Sequence, residues 1–316
     1  MQRADGDAAV TENTAAGVDV DGKQANSAHL RSWPFVLISI GAAVALFGTP
    51  SRLAGPLLYD DKAAILRNPV VTGADPLSRV WLVDFWGENE LQSPASHKSW
   101  RPLVTLSFRA NFDFHGPEPF YYHAINCGLH ACVSALVEPT VRTAFGDEYR
   151  LGAALSALLF AVHPVHAEAV QNLVGRAELM MATLFLSGFL SYARIAANAP
   201  PAASPLHFHW RHVLAPAVAL LFTLGATLCK ETGATLPALC AAWDALVLCQ
   251  LHARDVLLAI TIPVASPLLR PGVLPPRPSV RCQGGWAGLF VRVGALSFGA
   301  ISCDLLRSPA ISCDLL

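Results

Sequence analysis

"WPFVLISIGAAVALFGTP", residues 33–50, carries no charged side chain. Its length is close to the roughly 20 apolar residues that a helix needs to cross a hydrocarbon core. Arg31 stands at its N-terminal edge. Basic residues collect on the cytoplasmic side of a span, so residues 1–30 are expected in the cytoplasm and residues 51–119 on the opposite side. Residues 1–30 are rich in Asp, Gly, Thr and Asn and read as a disordered tail, having too few apolar side chains to offset the entropy of ordering. They do not read as a secretory signal, because the leader is acidic and the apolar run starts late.

Further apolar runs follow at 120–137, 150–162, 178–197, 213–229 and 234–251, with weaker ones at 255–269 and 286–301. Charged residues make up 14% of the chain against about 25% in a soluble domain, which points to a membrane protein. The runs lack the alternation of barrel strands, which excludes a β-barrel. The expected fold class is therefore an all-α membrane protein, a polytopic helical bundle over residues 31–270. A net charge of −1 gives no reason to expect nucleic-acid binding. The eight cysteines form no C-x-x-C pair or zinc pattern and read as small apolar packing residues. Residues 271–316 read as irregular. "ISCDLL" occurs at 301–306 and again at 311–316, and we expect a truncated or mis-spliced end there rather than a functional tail.

Residues 51–119 are the least membrane-like part of the ordered chain. Their Trp, Phe, Arg, Asp and His suit a layer at the membrane surface, with aromatic faces in the headgroups. Pro69, Pro76, Pro94 and Pro102 divide the stretch into short elements.

Ionisable groups in or beside spans are costly and mark function by default. Four clusters qualify. Tyr59-Asp60-Asp61-Lys62 reads equally as acids at a helix start or as a general base. "SHKSWRPL" holds His97, Lys98 and Arg101, with Arg109 beyond. Lys98 reads as a headgroup contact, and Arg101 as a planar fork for a phosphate. His163, His166 and Glu168 close one run, and Arg176 and Glu178 open the next. A metal there is conceivable, but the spacing is not that of His-Glu-x-x-His and Pro164 interrupts the helix. The reading adopted is a loop folded back over a site, with no metal. Lys230 and Glu231 lie between two runs. Counting spans from a cytoplasmic N-terminus puts all four clusters on the same, non-cytoplasmic face, as an interfacial active site requires. A transporter would instead want its charges near the midplane.

The motifs "YDDKAAILRNPVV", "VDFWG", "SHKSWRPLVTLSFRANF", "YHAINCGLHACVSAL", "LLFAVHPVHAEAVQNLVGRAELMMATLFLSGFLSYAR" and "LCKETGATLPALCAAWDAL" occur in this order between about residues 57 and 250. In that order they resemble the membrane portion of the TMTC family, the transmembrane and tetratricopeptide-repeat-containing proteins. The resemblance implies a GT-C type glycosyltransferase, multi-pass in the endoplasmic reticulum membrane, with 51–119 as a luminal loop. It implies inverting transfer of mannose from dolichyl-phosphate-mannose to Ser or Thr of secretory-pathway proteins. Membrane lipids, the lipid-linked donor and the acceptor protein are then its partners, and no cofactor is needed. Asp60 and Asp61 stand where GT-C enzymes carry their acidic pair, with Asp61 assigned as base. Arg101, Arg176 and Lys230 are candidates for the donor phosphate. His163, His166, Glu168, Glu178 and Glu231 would support the luminal site. The family's C-terminal repeats have no counterpart in a 34-residue period here, so the chain is expected to be a fragment that could be inactive as it stands. A multispan transporter and a non-catalytic membrane scaffold are the alternatives.

Overall fold

The computed structural model describes residues 33–198 and 210–248. The tail 1–30, most of the turn after residue 198, the end of the sixth run, the weaker runs at 255–269 and 286–301 and the segment 271–316 lie outside the described residues. The chain divides into units of residues 1–34 and 35–316; of the first, only Trp33 and Pro34 are described. All other described residues belong to the second.

The longer helices are α1 (Trp33–Phe47), α2 (Pro102–His115), α3 (Pro119–Phe145), α4 (Arg150–Val162), α5 (His166–Gln171), α6 (Arg176–Ala197), α7 (Arg211–Cys229) and α8 (Leu236–Trp243). No β-strand occurs among the described residues; extended pairing there is limited to a bridge between Val83 and Glu90. Proline sits in the first turn of α2, α3 and α8, where its fixed φ suits a helix and its missing N–H costs nothing.

Five of the expected runs coincide with a helix, the run at 150–162 with its bounds unchanged and the other four with altered bounds. The run at 120–137 continues to Phe145 through Pro139. The run at 234–251 is broken into a 3-10 turn (Glu231–Thr235), α8, and a π turn (Asp244–Leu248). At 13 residues α4 is about 20 Å long, short of the ~30 Å core. Two stretches of the described residues are long and apolar enough to cross a membrane, Leu173–Ala197 and Arg211–Cys229.

Beside an apolar core, the bundle places polar side chains on an inner helix face and large apolar ones on outer faces. The buried face of α3 carries His123, Asn126, His130, Ser134 and Glu138. The outer faces of α4 and α7 carry exposed Leu151, Leu155, Leu159, Leu220, Leu221 and Leu224. In water that arrangement forfeits apolar burial and desolvates polar groups, whereas in hydrocarbon it is the arrangement that costs least.

α6 and α7 pack closely at Gly188. A Cβ there would lie 2.5 Å from Phe222 Cβ and 2.8 Å from Leu236 Cδ2. Phe189, Tyr192, Ala215, Ala219, Leu236, Cys240 and Trp243 form the core around this contact. The segment between α1 and α2 is folded, not a loose strap. Asn68 accepts the Val70 N–H at 3.0 Å, capping a helical turn, and donates its amide to the Phe85 carbonyl at 3.1 Å. Leu57, Ile65, Val71 and Phe85 then join Val104, Phe108, Tyr122, Leu173 and Cys229 in one core. That core fastens the segment to the ends of α3, α6 and α7.

Candidate functional site

The acidic pair opens a single helical turn, Tyr59–Asp61, and the structure separates its two members. Asp61 is 1% exposed. One carboxylate oxygen reaches back to accept the Leu58 N–H at 3.1 Å, the usual use of an acid at the third position of a helix. The other accepts the Val174 N–H at 3.2 Å. Burial pushes its carboxyl above the usual range; the N–H groups of Leu58, Val174 and Leu173 and the nearby His123 pull it part of the way back. Asp60 is exposed, and the neighbouring Tyr59 is 90% exposed.

Val174 belongs to a 3-10 turn, Leu173–Gly175, that leads into α6. Gly175 permits its tight return over α5, since a Cβ there would meet the Ala169 carbonyl oxygen at 2.5 Å. Arg176 follows, wholly buried. Its Nε donates to Asn126 Oδ1 at 2.9 Å. Nη2 donates to Asn111 Oδ1 and to the Tyr122 carbonyl, each at 3.1 Å, and Nη1 to Ser107 Oγ at 3.5 Å. The guanidinium also faces the Phe108 ring at 4.5 Å. Its donors are thus committed to α2 and α3.

The cations further out are differently placed. Glu178 accepts from Lys230 Nζ, and Arg101 Nη2 lies 3.7 Å from Glu231 Oε2. Burial, and then the charge of Arg101, push the Lys230 ammonium down. Arg101 stacks over Phe85 at 5.2 Å, and its Nε is buried without a hydrogen-bond partner. An orphan guanidinium donor beside a second cation is suited to an anion. Lys98 donates to the carbonyls of Leu91 and Ser93, both at 2.6 Å, and so fastens its own loop.

The chain of contacts Asp61–Val174, then Glu178–Lys230, then Arg101–Glu231 joins elements from all four sequence clusters. The histidine hairpin lies further along α3. His166 packs 4.1 Å from Phe160 and 5.2 Å from His130, with His163 at 6.0 Å; Glu168 is exposed. Burial, then His130 and His163, push His166 down. His130 is seven residues beyond His123, about 10 Å along the helix. Among the described residues no three His, Cys, Asp or Glu are placed to hold a metal ion.

Sequence reasoning passed over His123 and Asn126. Nε2 of His123 lies 3.1 Å from the Gly55 carbonyl. The signal was present: polar residues at 123, 126, 130 and 134 recur on one face of an otherwise apolar helix.

Fold and site together define a helical protein with an acid pair and a cation pair gathered around the ends of α3, α6 and α7. The chain is 41% identical over 196 residues to protein O-mannosyl-transferase Tmtc1 of Drosophila melanogaster, covering 62% of this chain and 21% of that protein. It is 40% identical over 221 residues to protein O-mannosyl-transferase TMTC1 of Mus musculus, covering 66% and 22%. It is 33% identical over 299 residues to protein O-mannosyl-transferase TMTC4 of Homo sapiens, covering 89% and 39%. The resemblance to the TMTC family is thus borne out, and the chain is a homologue of the N-terminal part of its members. It spans between about a fifth and two fifths of the length of these relatives. No family model and no solved structure matches it.

Proposed function

We propose that this chain is the catalytic membrane part of a protein O-mannosyl-transferase. It is a polytopic bundle of GT-C type in the endoplasmic reticulum membrane, taking mannose from dolichyl-phosphate-mannose to Ser or Thr hydroxyls of secretory-pathway proteins. The observation that carries this reading is the chain of contacts that links Asp61 to Val174, Glu178 to Lys230, and Arg101 to Glu231. The relatives' names and the leucine-lined outer faces of α4 and α7 support it.

Asp60, rather than Asp61, suits the role of base. A base must touch the acceptor hydroxyl. Asp61 is buried with both oxygens already accepting N–H groups, whereas Asp60 is exposed one residue away. Asp60 takes the hydroxyl proton as the oxygen attacks the anomeric carbon. The bond from that carbon to the lipid phosphate oxygen breaks on the opposite face, and its electron pair leaves with dolichyl phosphate. One inversion results, and no general acid is needed because the leaving group departs as an anion. Arg101 and Lys230 hold the developing negative charge, a contribution of roughly 3–4 kcal/mol per well-placed donor. Arg176 acts from within the fold, since its donors are taken.

The test uses microsomes carrying the chain, labelled dolichyl-phosphate-mannose and a Ser/Thr peptide. Asp60→Asn is expected to lower transfer by about 10²-fold or more. Transfer indifferent to both Asp60→Asn and Asp61→Asn would remove the acidic pair from the chemistry and sink the proposal.

A further inference from the structure

Asp61 is gripped by two backbone N–H groups that belong to different parts of the chain, Leu58 and Val174. Each of those segments is in turn tied to α3. Gly55, three residues before Leu58, presents its carbonyl to His123 Nε2 at 3.1 Å. A carbonyl oxygen only accepts, so Nε2 carries the proton. Leu173, one residue before Val174, presents its carbonyl to Asn126 Nδ2 at 3.5 Å, shared with the Val170 carbonyl at 3.4 Å. The bond from Arg176 Nε to Asn126 Oδ1 sets which end of that amide faces the turn.

His123 and Asn126 are three residues apart, hence on one face of α3, and both are buried. The same face continues to His130, whose Nε2 donates to the Ala161 carbonyl at 3.0 Å, one residue before the end of α4. One side of a single helix therefore holds main-chain carbonyls from two connecting segments, at Gly55 and Leu173, and from the last turn of α4, at Ala161. These bonds are costly to leave unmade in a buried setting, so the spacing of the three side chains along α3 sets the relative height of the three segments.

Resting on the mannosyl-transfer reading, we propose that His123 and Asn126 are positioning residues for the acidic pair, acting with Arg176. They hold the two backbone segments whose N–H groups orient Asp61, and through that turn they place Asp60 against the acceptor hydroxyl. Neither touches the reacting atoms. Displacing a reacting group by about 1 Å can cost as much as 10²-fold in rate, so anchors of this kind act on turnover rather than on donor binding.

The experiment compares His123→Leu, which removes the donor, with His123→Gln, which supplies an amide N–H, in the full chain in microsomes or nanodiscs. Two readouts are taken: amide hydrogen exchange in residues 57–61 and 172–176, and the kinetics of mannosyl transfer. His123→Leu is expected to speed exchange in 57–61 about tenfold or more, as the local turn opens without global unfolding. It is expected to lower kcat about 10- to 100-fold with the donor KM unchanged, and His123→Gln is expected to recover most of both. In an Asp61→Ala background, which leaves neither N–H with its acceptor, the same substitution is expected to cost less than about twofold, because the two act through one linkage. A purely structural residue would lower the melting temperature without that loss of additivity.

Unchanged exchange in 57–61 overturns the proposal, as does faster exchange with kcat intact, or a full effect of His123→Leu in the Asp61→Ala background. Should His123→Leu fail to fold, Asn126→Leu read at 172–176 carries the same comparison, with the same outcomes deciding. Transfer indifferent to both acids would sink the mannosyl-transfer reading by itself. The exchange comparison would then decide the anchoring alone, faster exchange supporting it and unchanged exchange overturning it.

Discussion

Val174 and Asp61 meet across 113 residues of chain, the backbone N–H of the one donating to Oδ1 of the other at 3.2 Å. With the Leu58 N–H on the second oxygen, Asp61 joins the helical turn Tyr59–Asp61 to the entrance of α6. Replacing it with alanine leaves both donors without their acceptor. Asp61→Ala is expected to destabilise the fold by about 1–3 kcal/mol, and Asp61→Asn by less, since one amide oxygen can still accept. Thermal unfolding of the detergent-solubilised protein checks this, and equal melting temperatures for wild type and Asp61→Ala would refute it.

Arg101 and Lys230 differ in what a conservative change removes. Arg101→Lys keeps the charge but loses the planar fork and its stacking on Phe85. It is expected to raise the donor KM and lower kcat, together by about tenfold or more in kcat/KM. Breaking the half-exposed pair of Lys230 with Glu178 by Glu178→Gln is expected to cost at most about 1 kcal/mol of stability. Steady-state transfer kinetics beside melting curves separate the two kinds of effect.

His166 gives the hairpin a pH dependence. An unperturbed histidine titrates near 6.5, and burial with two neighbouring imidazoles pushes His166 below that. The unfolded chain therefore binds the proton first as pH falls. The contribution of this group is intact above about 6.5 and is lost as pH falls through the depressed value. The melting temperature is expected to drop on acidification through that window. His166→Phe is expected to flatten the drop, and a curve unchanged by that substitution would contradict the assignment.

Gly188 sets the distance between α6 and α7. Gly188→Leu forces atoms into Phe222 and Leu236, and is expected to destabilise the bundle by about 1–3 kcal/mol or more. The neighbouring outward-facing Leu221, replaced by Ile, is expected to change little. Comparing the melting temperatures of these two variants tests whether the packing seam, rather than general sensitivity of the helix, is responsible.

The sequence alone determined the helical class, the order of the apolar runs and the four ionisable clusters, because hydrophobic length and the cost of charge beside a span are local properties that one can read residue by residue. Tertiary structure decided the rest. It buried Asp61 and left Asp60 open, drew Arg176 inside instead of toward an anion, and made an anchoring row of His123, Asn126 and His130. None of these follows from neighbours in sequence, since each depends on which backbone carbonyl or N–H from a distant loop arrives at the side chain. The polar spacing on α3 could be seen in advance, but only the packed loops say what that face holds.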